Sequence, residues 1–147
     1  MTGVQTCALP IFATLAAIAQ PTVALVNNAQ REHLEFMATV EAVAHENGSV
    51  IDALPVDGTA VFPIDDVHSA FWTAKAGKRT ILGFCADKQP GAAIWAANAK
   101  WSEAAWQVSA VTPAGDLHYA LHIAGAHNVN NSLAAVACAL EIGRAHV

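Results

Sequence analysis

Pro21–Glu35 reads PTVALVNNAQREHLE. Four apolar residues, Val23, Ala24, Leu25 and Val26, stop at the polar pair Asn27 and Asn28, and His33 and Glu35 follow. A short aliphatic, partly β-branched run bounded by polar residues reads as a buried strand. In an open parallel sheet the residues just past a strand's carboxyl end face the ligand crevice. The stretch therefore sets an expectation of α/β architecture and marks a candidate site at its polar end.

Working outward, Ala13–Gln20 has helical spacing and stops at Pro21, which a helix does not normally pass. On the other side, Thr39 is placed to cap a helix running from about Val40 to Leu54, with Glu41 in its first turn. Val40, Val43, Ala44, Val50, Ile51 and Leu54 form an amphipathic stripe, and Asn47 falls on the same inward side. Gly48 beside it costs roughly 1 kcal/mol relative to Ala in a helix interior. Asn47 is either a buried amide satisfied by backbone or part of a site, and the pattern leaves both open.

Pro55 ends this helix, and Asp57-Gly58 turns into a strand at Thr59–Phe62. Asp65 or Asp66 is placed to cap a short helix to about Lys75, with Gly77 as its stop, and Thr80–Phe84 is a further strand. Strand, helix, strand, helix, strand in this order predicts a parallel sheet with crossover helices. The rhythm then changes to strand-like runs at Ala92–Asn98, Ala105–Val111 and Leu117–Ala124, whose short connections predict a small antiparallel sheet. Trp95, Trp101 and Trp106 read as packing residues rather than ligand platforms. His118 and His122 share a strand face at a spacing that suits a metal, but no third ligand is near in sequence.

Gly125 ends the sheet, and HNVNNSLAAVACAL from His127 begins a helix with Val129, Leu133, Val136, Ala137 and Leu140 inward. Its alanines allow close packing on the sheet. His127, Asn128 and Asn131 lie in or beside its first turn, where free N–H groups and side-chain amides can read a polar ligand. Plain capping by Asn128 explains the same residue type.

Both ends of the chain carry a different signal. Gln5–Ile11, QTCALPI, can be encoded CAG ACG TGT GCT CTT CCG ATC, whose reverse complement read one base in gives ATC GGA AGA GCA CAC GTC, encoding Ile142–Val147, IGRAHV. Residues 1–11 and 142–147 are therefore expected to be translated sequencing adapter, with residues 12–141 the biological part. That part suits one domain or a large piece of one. An apolar content of 54% against 13% charged residues provides for a core and excludes disorder as the default. Without Arg144 there are six basic and twelve acidic residues, a net of −6, which argues against a nucleic-acid surface.

Residues 8–26 have no basic leader and are interrupted by Pro10 and Pro21, so neither a targeting segment nor membrane insertion is expected. Outside the suspect ends, Cys85 and Cys138 read as reduced core cysteines of a cytoplasmic protein, with a single disulfide left open.

Taken together, PTVALVNNAQREHLEF, TVEAVAHENGSVIDALPVDGTAVFPIDD and GAHNVNNSLAAVACAL resemble the central domain of the Mur ligase family. The His-Leu-Glu box at His33–Glu35 resembles the MurF type. The Gly-x-His-Asn-x-x-Asn-x-x-Ala-Ala helix is shared by all Mur ligases and folylpolyglutamate synthases. The resemblance implies part of an ATP-binding central domain of an ATP-dependent amide ligase, acting through an acyl phosphate. Its substrates would be UDP-N-acetylmuramoyl-tripeptide and D-alanyl-D-alanine, in peptidoglycan precursor synthesis. It implies His33 as a contact of Mg²⁺ or Mn²⁺, and Asn128 and Asn131, with His127 nearby, against the adenine of ATP.

Two departures bear on that expectation. Where many family members carry a carbamylated Lys before Gly-Glu, this chain has Asn47-Gly48-Ser49. Asparagine cannot form a carbamate, so Asn47 is a site position of open role. The sequence also lacks a G-x-x-x-x-G-K-[ST] loop to cradle phosphates, so these residues alone are not expected to turn over. Another Mur ligase, a folylpolyglutamate synthase, or a noncatalytic α/β binding module are the competing readings.

Overall fold

The computed structural model describes residues 11–30 and 39–144 of the chain. The alternation read from the sequence is present. Helix α1, Ile11–Ala19, leads into strand β1, Val23–Leu25. Helix α2, Val40–Asp52, strand β2, Thr59–Pro63, helix α3, Ser69–Ala76, and strand β3, Thr80–Cys85, follow. Strands β4, Ile94–Ser102, β5, Ala105–Thr112, and β6, Gly115–Leu121, precede the long helix α4, His127–Arg144.

Among the described residues the strands form one sheet in the order β1-β2-β3-β4-β5-β6. β1 to β4 are mutually parallel, and β5 and β6 are antiparallel additions. The antiparallel strands expected as a small sheet thus continue directly from the parallel ones. β4 makes the junction: it pairs parallel to β3 only at Phe84↔Ile94 and Cys85↔Trp95, then runs on as the partner of β5. A bulge between Ala96 and Asn98 bends it away from the parallel part.

Two apolar layers hold the sheet. On one face Ala24, Val26, Ala60 and Phe62 pack against Val43, Ala44 and Ile51 of α2 and Trp72 and Ala76 of α3. On the other, Val61, Leu82, Phe84, Ile94, Val108 and Ala110 pack against Val129, Leu133, Ala134 and Ala137 of α4. All five β2 residues are buried, as expected of a central parallel strand covered on both sides.

The helix termini follow their local chemistry. The Thr39 hydroxyl accepts a hydrogen bond from the Ala42 N–H at 3.1 Å and caps α2. The backbone and the Thr39 hydroxyl hydrogen-bond the exposed Glu41 carboxylate and hold its pKa below the ordinary value. α3 starts later than the sequence suggests, because Asp66 organises the preceding turn instead of capping the helix. Its Oδ1 accepts from the His68 N–H at 2.8 Å, and its carbonyl accepts from Ser69 N–H at 3.0 Å. Gly77, at φ +61°, ends α3 as expected.

Of the three tryptophans singled out above, Trp106 packs against the core on the α4 side, whereas Trp101 is 43% exposed. Trp101 and Trp106 face each other across β4 and β5, edge to face, with centroids 5.7 Å apart. Lys88 Nζ lies 5.2 Å from the Trp95 ring. Cys85 and Cys138 are free thiols, which removes the disulfide left open above.

Candidate functional site

The carboxyl end of β1 is where separate elements bring polar side chains together. The Val26 N–H still donates to the Val61 carbonyl at 2.9 Å, so the strand geometry persists to the residue before Asn27. Asn27 then donates through Nδ2 to Asn131 Oδ1 of α4 at 3.0 Å. Asn131 in turn donates to Asn128 Oδ1 at 3.1 Å, and Asn128 Nδ2 donates to the Ala124 carbonyl at 2.8 Å. A directed relay of three amides therefore joins the end of a parallel strand to the first turn of the helix on one sheet face.

The next residue works on the other face. Asn28 offers its backbone carbonyl to Asn47 Nδ2 at 3.0 Å, tying the same strand end to α2. Asn47 is half-buried, and its donor is satisfied by backbone. It also lines an open cleft of about 290 Å³ with Asn27, Asn28, Val26, Leu25, Val50 and Phe12. Both sequence alternatives for Asn47 thus describe part of its environment.

His127 is exposed at the start of α4, its ring lying over Gly125. Gly125 has φ +100°, a backbone conformation that favours glycine in the turn into α4, and its missing side chain leaves room for the exposed His127 ring. His33 and Glu35 lie outside the described residues. His118 Nδ1 is hydrogen-bonded with Ser109 Oγ at 2.9 Å, and His118 and His122 are both exposed. Among the described residues no three His, Cys, Asp or Glu side chains are grouped to hold a metal ion. Amides and backbone carbonyls at the β1 end are oxygen donors of the kind Mg²⁺ prefers, but they bring no charge. The described residues therefore do not complete a cation site.

At the neighbouring strand ends, burial and then the Asp65 carboxylate push the Cys85 thiol pKa up. Burial alone does the same to Cys138. Both thiols are thus poor nucleophiles at neutral pH. What the β1 end offers is recognition: amide donors and acceptors beside the N-terminus of a long helix.

With this geometry in hand, the comparisons are specific. The sequence matches the family model described as the Mur ligase middle domain over residues 7–139. The chain belongs to the Mur ligase family. This Mur ligase domain is 30% identical over 135 residues to the UDP-N-acetylmuramoyl-tripeptide–D-alanyl-D-alanine ligase of Escherichia coli K12, covering 90% of the chain and 29% of that relative. It is 33% identical over 126 residues to the UDP-N-acetylmuramate–L-alanine ligase of Renibacterium salmoninarum, covering 84% of the chain and 26% of that relative. The crystal structure of MurF from Acinetobacter baumannii matches with a TM-score of 0.81 at 26% identity, over 90% of the chain and 28% of that structure. The domain thus spans less than a third of the length of each of these relatives.

The structure brings Asn128 and Asn131 together, sets Asn47 against the same strand end from the opposite face, and keeps His127 beside the relay without a hydrogen bond into it among those described. Sequence reasoning marked the strand end at Asn27 and Asn28 as a candidate site without giving Asn27 a partner or a role of its own. Its signal was present: period-two alternation puts Asn27 on the side of Val23, which packs with the α4 core.

Proposed function

We propose that residues 12–141 are part of the ATP-binding central domain of a cytoplasmic ligase that joins D-alanyl-D-alanine to UDP-N-acetylmuramoyl-tripeptide. The observation that carries the nucleotide reading is the Asn27–Asn131–Asn128 relay, which sets amide donors and acceptors at the junction of β1 and α4. An amide pairs naturally with adenine, accepting from its amino group and donating to a ring nitrogen. Asn131 is exposed and has hydrogen-bonding capacity left for this purpose.

The chemistry follows from the class of reaction. A substrate carboxylate oxygen attacks the γ-phosphorus of ATP, the bond to the bridging oxygen breaks, and ADP leaves. The amine of D-alanyl-D-alanine attacks the resulting acyl carbon, phosphate departs with the electron pair, and the nitrogen gives up a proton. Phosphate charge of this kind is normally offset by a divalent cation; Mg²⁺ or Mn²⁺, with His33 among its contacts, is the expectation for the whole protein. The residues of this chain would bind and orient the base.

The name of the Escherichia coli relative supports the dipeptide-adding reading. That of the Renibacterium relative supports a second, addition of L-alanine to UDP-N-acetylmuramate. The deciding experiment supplies the full-length gene product with ATP and each substrate pair and follows ADP and phosphate release. Release that requires both UDP-N-acetylmuramoyl-tripeptide and D-alanyl-D-alanine is the expected result. Release with UDP-N-acetylmuramate and L-alanine instead would replace the first reading by the second, and no ATP turnover with any pair would leave a binding module.

A further inference from the structure

We propose that Asn27 is a positioning residue that reinforces the orientation of the Asn131 amide set from Asn128, and so strengthens the site's preference for adenine over guanine. The inference rests on the nucleotide reading above and goes beyond it. The nitrogen and oxygen of an asparagine amide have nearly the same shape, so the amide's orientation is decided by its hydrogen-bond partners.

Here the partners decide it from one end. The Ala124 carbonyl can only accept, so Asn128 must turn its NH₂ toward it, 2.8 Å away. Asn128 Oδ1 then faces Asn131 and requires a donor, which Asn131 Nδ2 supplies at 3.1 Å. Asn131 Oδ1 is thereby turned toward β1, where Asn27 Nδ2 meets it at 3.0 Å. The polarity of the whole relay is set by one backbone carbonyl at the helix end and locked by a side chain on the strand.

Each amide nitrogen has two protons and each oxygen two lone pairs, so Asn131 keeps one donor and one acceptor for a ligand. Adenine presents an amino donor next to a ring-nitrogen acceptor. Guanine presents the O6 acceptor where adenine has the amino group. An amide held one way round favours adenine; reversed, it favours guanine's O6 and N1–H. Asn27 is not asked to touch the base. Its part is to add a second hydrogen bond to the orientation that Asn128 sets, so that turning Asn131 over breaks both contacts or requires Asn27 to turn with it.

Asn27→Asp isolates this role, because it is nearly isosteric and differs by replacing the donor with a second acceptor. The carboxylate would face Asn131 Oδ1, and relief requires Asn131 to turn over, against Asn128. The test measures KM and kcat for ATP and GTP on the full-length ligase, for the parent, Asn27→Asp and Asn27→Ala, with thermal melting alongside. Asn27→Asp is expected to raise KM for ATP about tenfold, the scale of one amide hydrogen bond exchanged for an unfavourable contact, and to narrow or reverse the ATP-over-GTP preference. The effect on kcat at saturating nucleotide is expected to be smaller.

Asn27→Ala leaves Asn131 held by Asn128 alone, so a rise of about threefold with a partial loss of preference is expected. Added negative charge by itself would weaken ATP and GTP alike, which is why the ratio is the readout. An unchanged ATP-to-GTP ratio in Asn27→Asp overturns the proposal, as does an equal factor on both nucleotides in both variants. If Asn27→Asp melts far below the parent, the Asn27→Ala ratio decides, and an unchanged ratio there overturns it. A parent protein that does not bind ATP would overturn the underlying nucleotide reading instead, a result visible before any variant is compared.

Discussion

Gly48 is a residue at which local propensity and packing disagree. In a helix interior glycine is unfavourable relative to alanine by about 1 kcal/mol, and next to Asn47 it invites a functional explanation. The fold supplies a packing one. Trp72 of α3 is fully buried, and its Nε1 donates to the Ala44 carbonyl one turn before Gly48, at 3.0 Å. A Cβ on Gly48 would stand 2.9 Å from Trp72 Cδ1 and 3.1 Å from its Nε1, so the missing side chain is what admits the indole. Gly48→Ala is therefore expected to lower stability by about 1–3 kcal/mol, the usual range for overpacking, despite the gain in helix propensity. A fall in the urea midpoint followed through Trp fluorescence checks it. In a Trp72→Phe background the same change should cost less, because the two positions share one contact. Stability equal to or above the parent would show that the indole yields freely. Neither the contact nor the reason for Gly48 is legible in the sequence, since Trp72 comes from another helix, whereas Asn47's inward position follows from spacing alone.

At the scale of elements, α1, β1, α2, β2, α3 and β3 were legible because each is short, strongly patterned and bounded by Pro, Gly or Asp. The parallel pairing of β3 with β4 was not. The eight residues 86–93 between them are fewer than a helical crossover needs, so the sequence pattern that announces the other parallel pairs is missing here. The structure keeps the parallel contact to two residue pairs and then hands β4 to β5. Arg79 shows a different kind of element-level dependence. Its Nη2 donates to the Leu54 carbonyl at 2.9 Å and its Nε to the Pro55 carbonyl at 3.2 Å, while Nη1 reaches Lys75 and Ala76 carbonyls at 3.4 Å each. One planar guanidinium thus serves the carboxyl ends of both α2 and α3, where carbonyls lack helical partners. Arg79→Ala is expected to destabilise by about 1–3 kcal/mol. Arg79→Lys should recover little, because an ammonium has no fork to span two helix ends. Hydrogen exchange should show the last turns of α2 and α3 opening together in both variants, and protection unchanged there would remove Arg79 from this role.

For the molecule as a whole, the sheet has an end that nothing described covers. β1 has a neighbour on only one side among the described residues, and it is three residues long. Beside it α1 carries no charged residue and leaves Leu15 55% and Ile18 76% exposed, with Ile11 and Phe12 also exposed. Leu25 of β1 extends the same apolar surface. An open strand edge next to a contiguous apolar face is the arrangement that recruits another chain, because unpaired N–H and C=O groups and apolar area can be satisfied in one contact. The opposite edge differs: β6 places the exposed Asp116 and His118 on either side of the exposed Leu117, and these polar groups oppose such pairing. Self-association of the 147-residue chain is therefore expected to start from α1 and β1. Light scattering after size exclusion should show species larger than a monomer that grow with concentration. Ile18→Glu combined with Leu15→Gln, both on exposed positions, should shift the chain toward monomer without lowering its stability by more than the few tenths of a kcal/mol typical of surface changes. The same one charge and one amide placed on exposed positions of β6 should leave association unaltered. A parent chain that is monomeric and melts cooperatively at high concentration would overturn the edge argument.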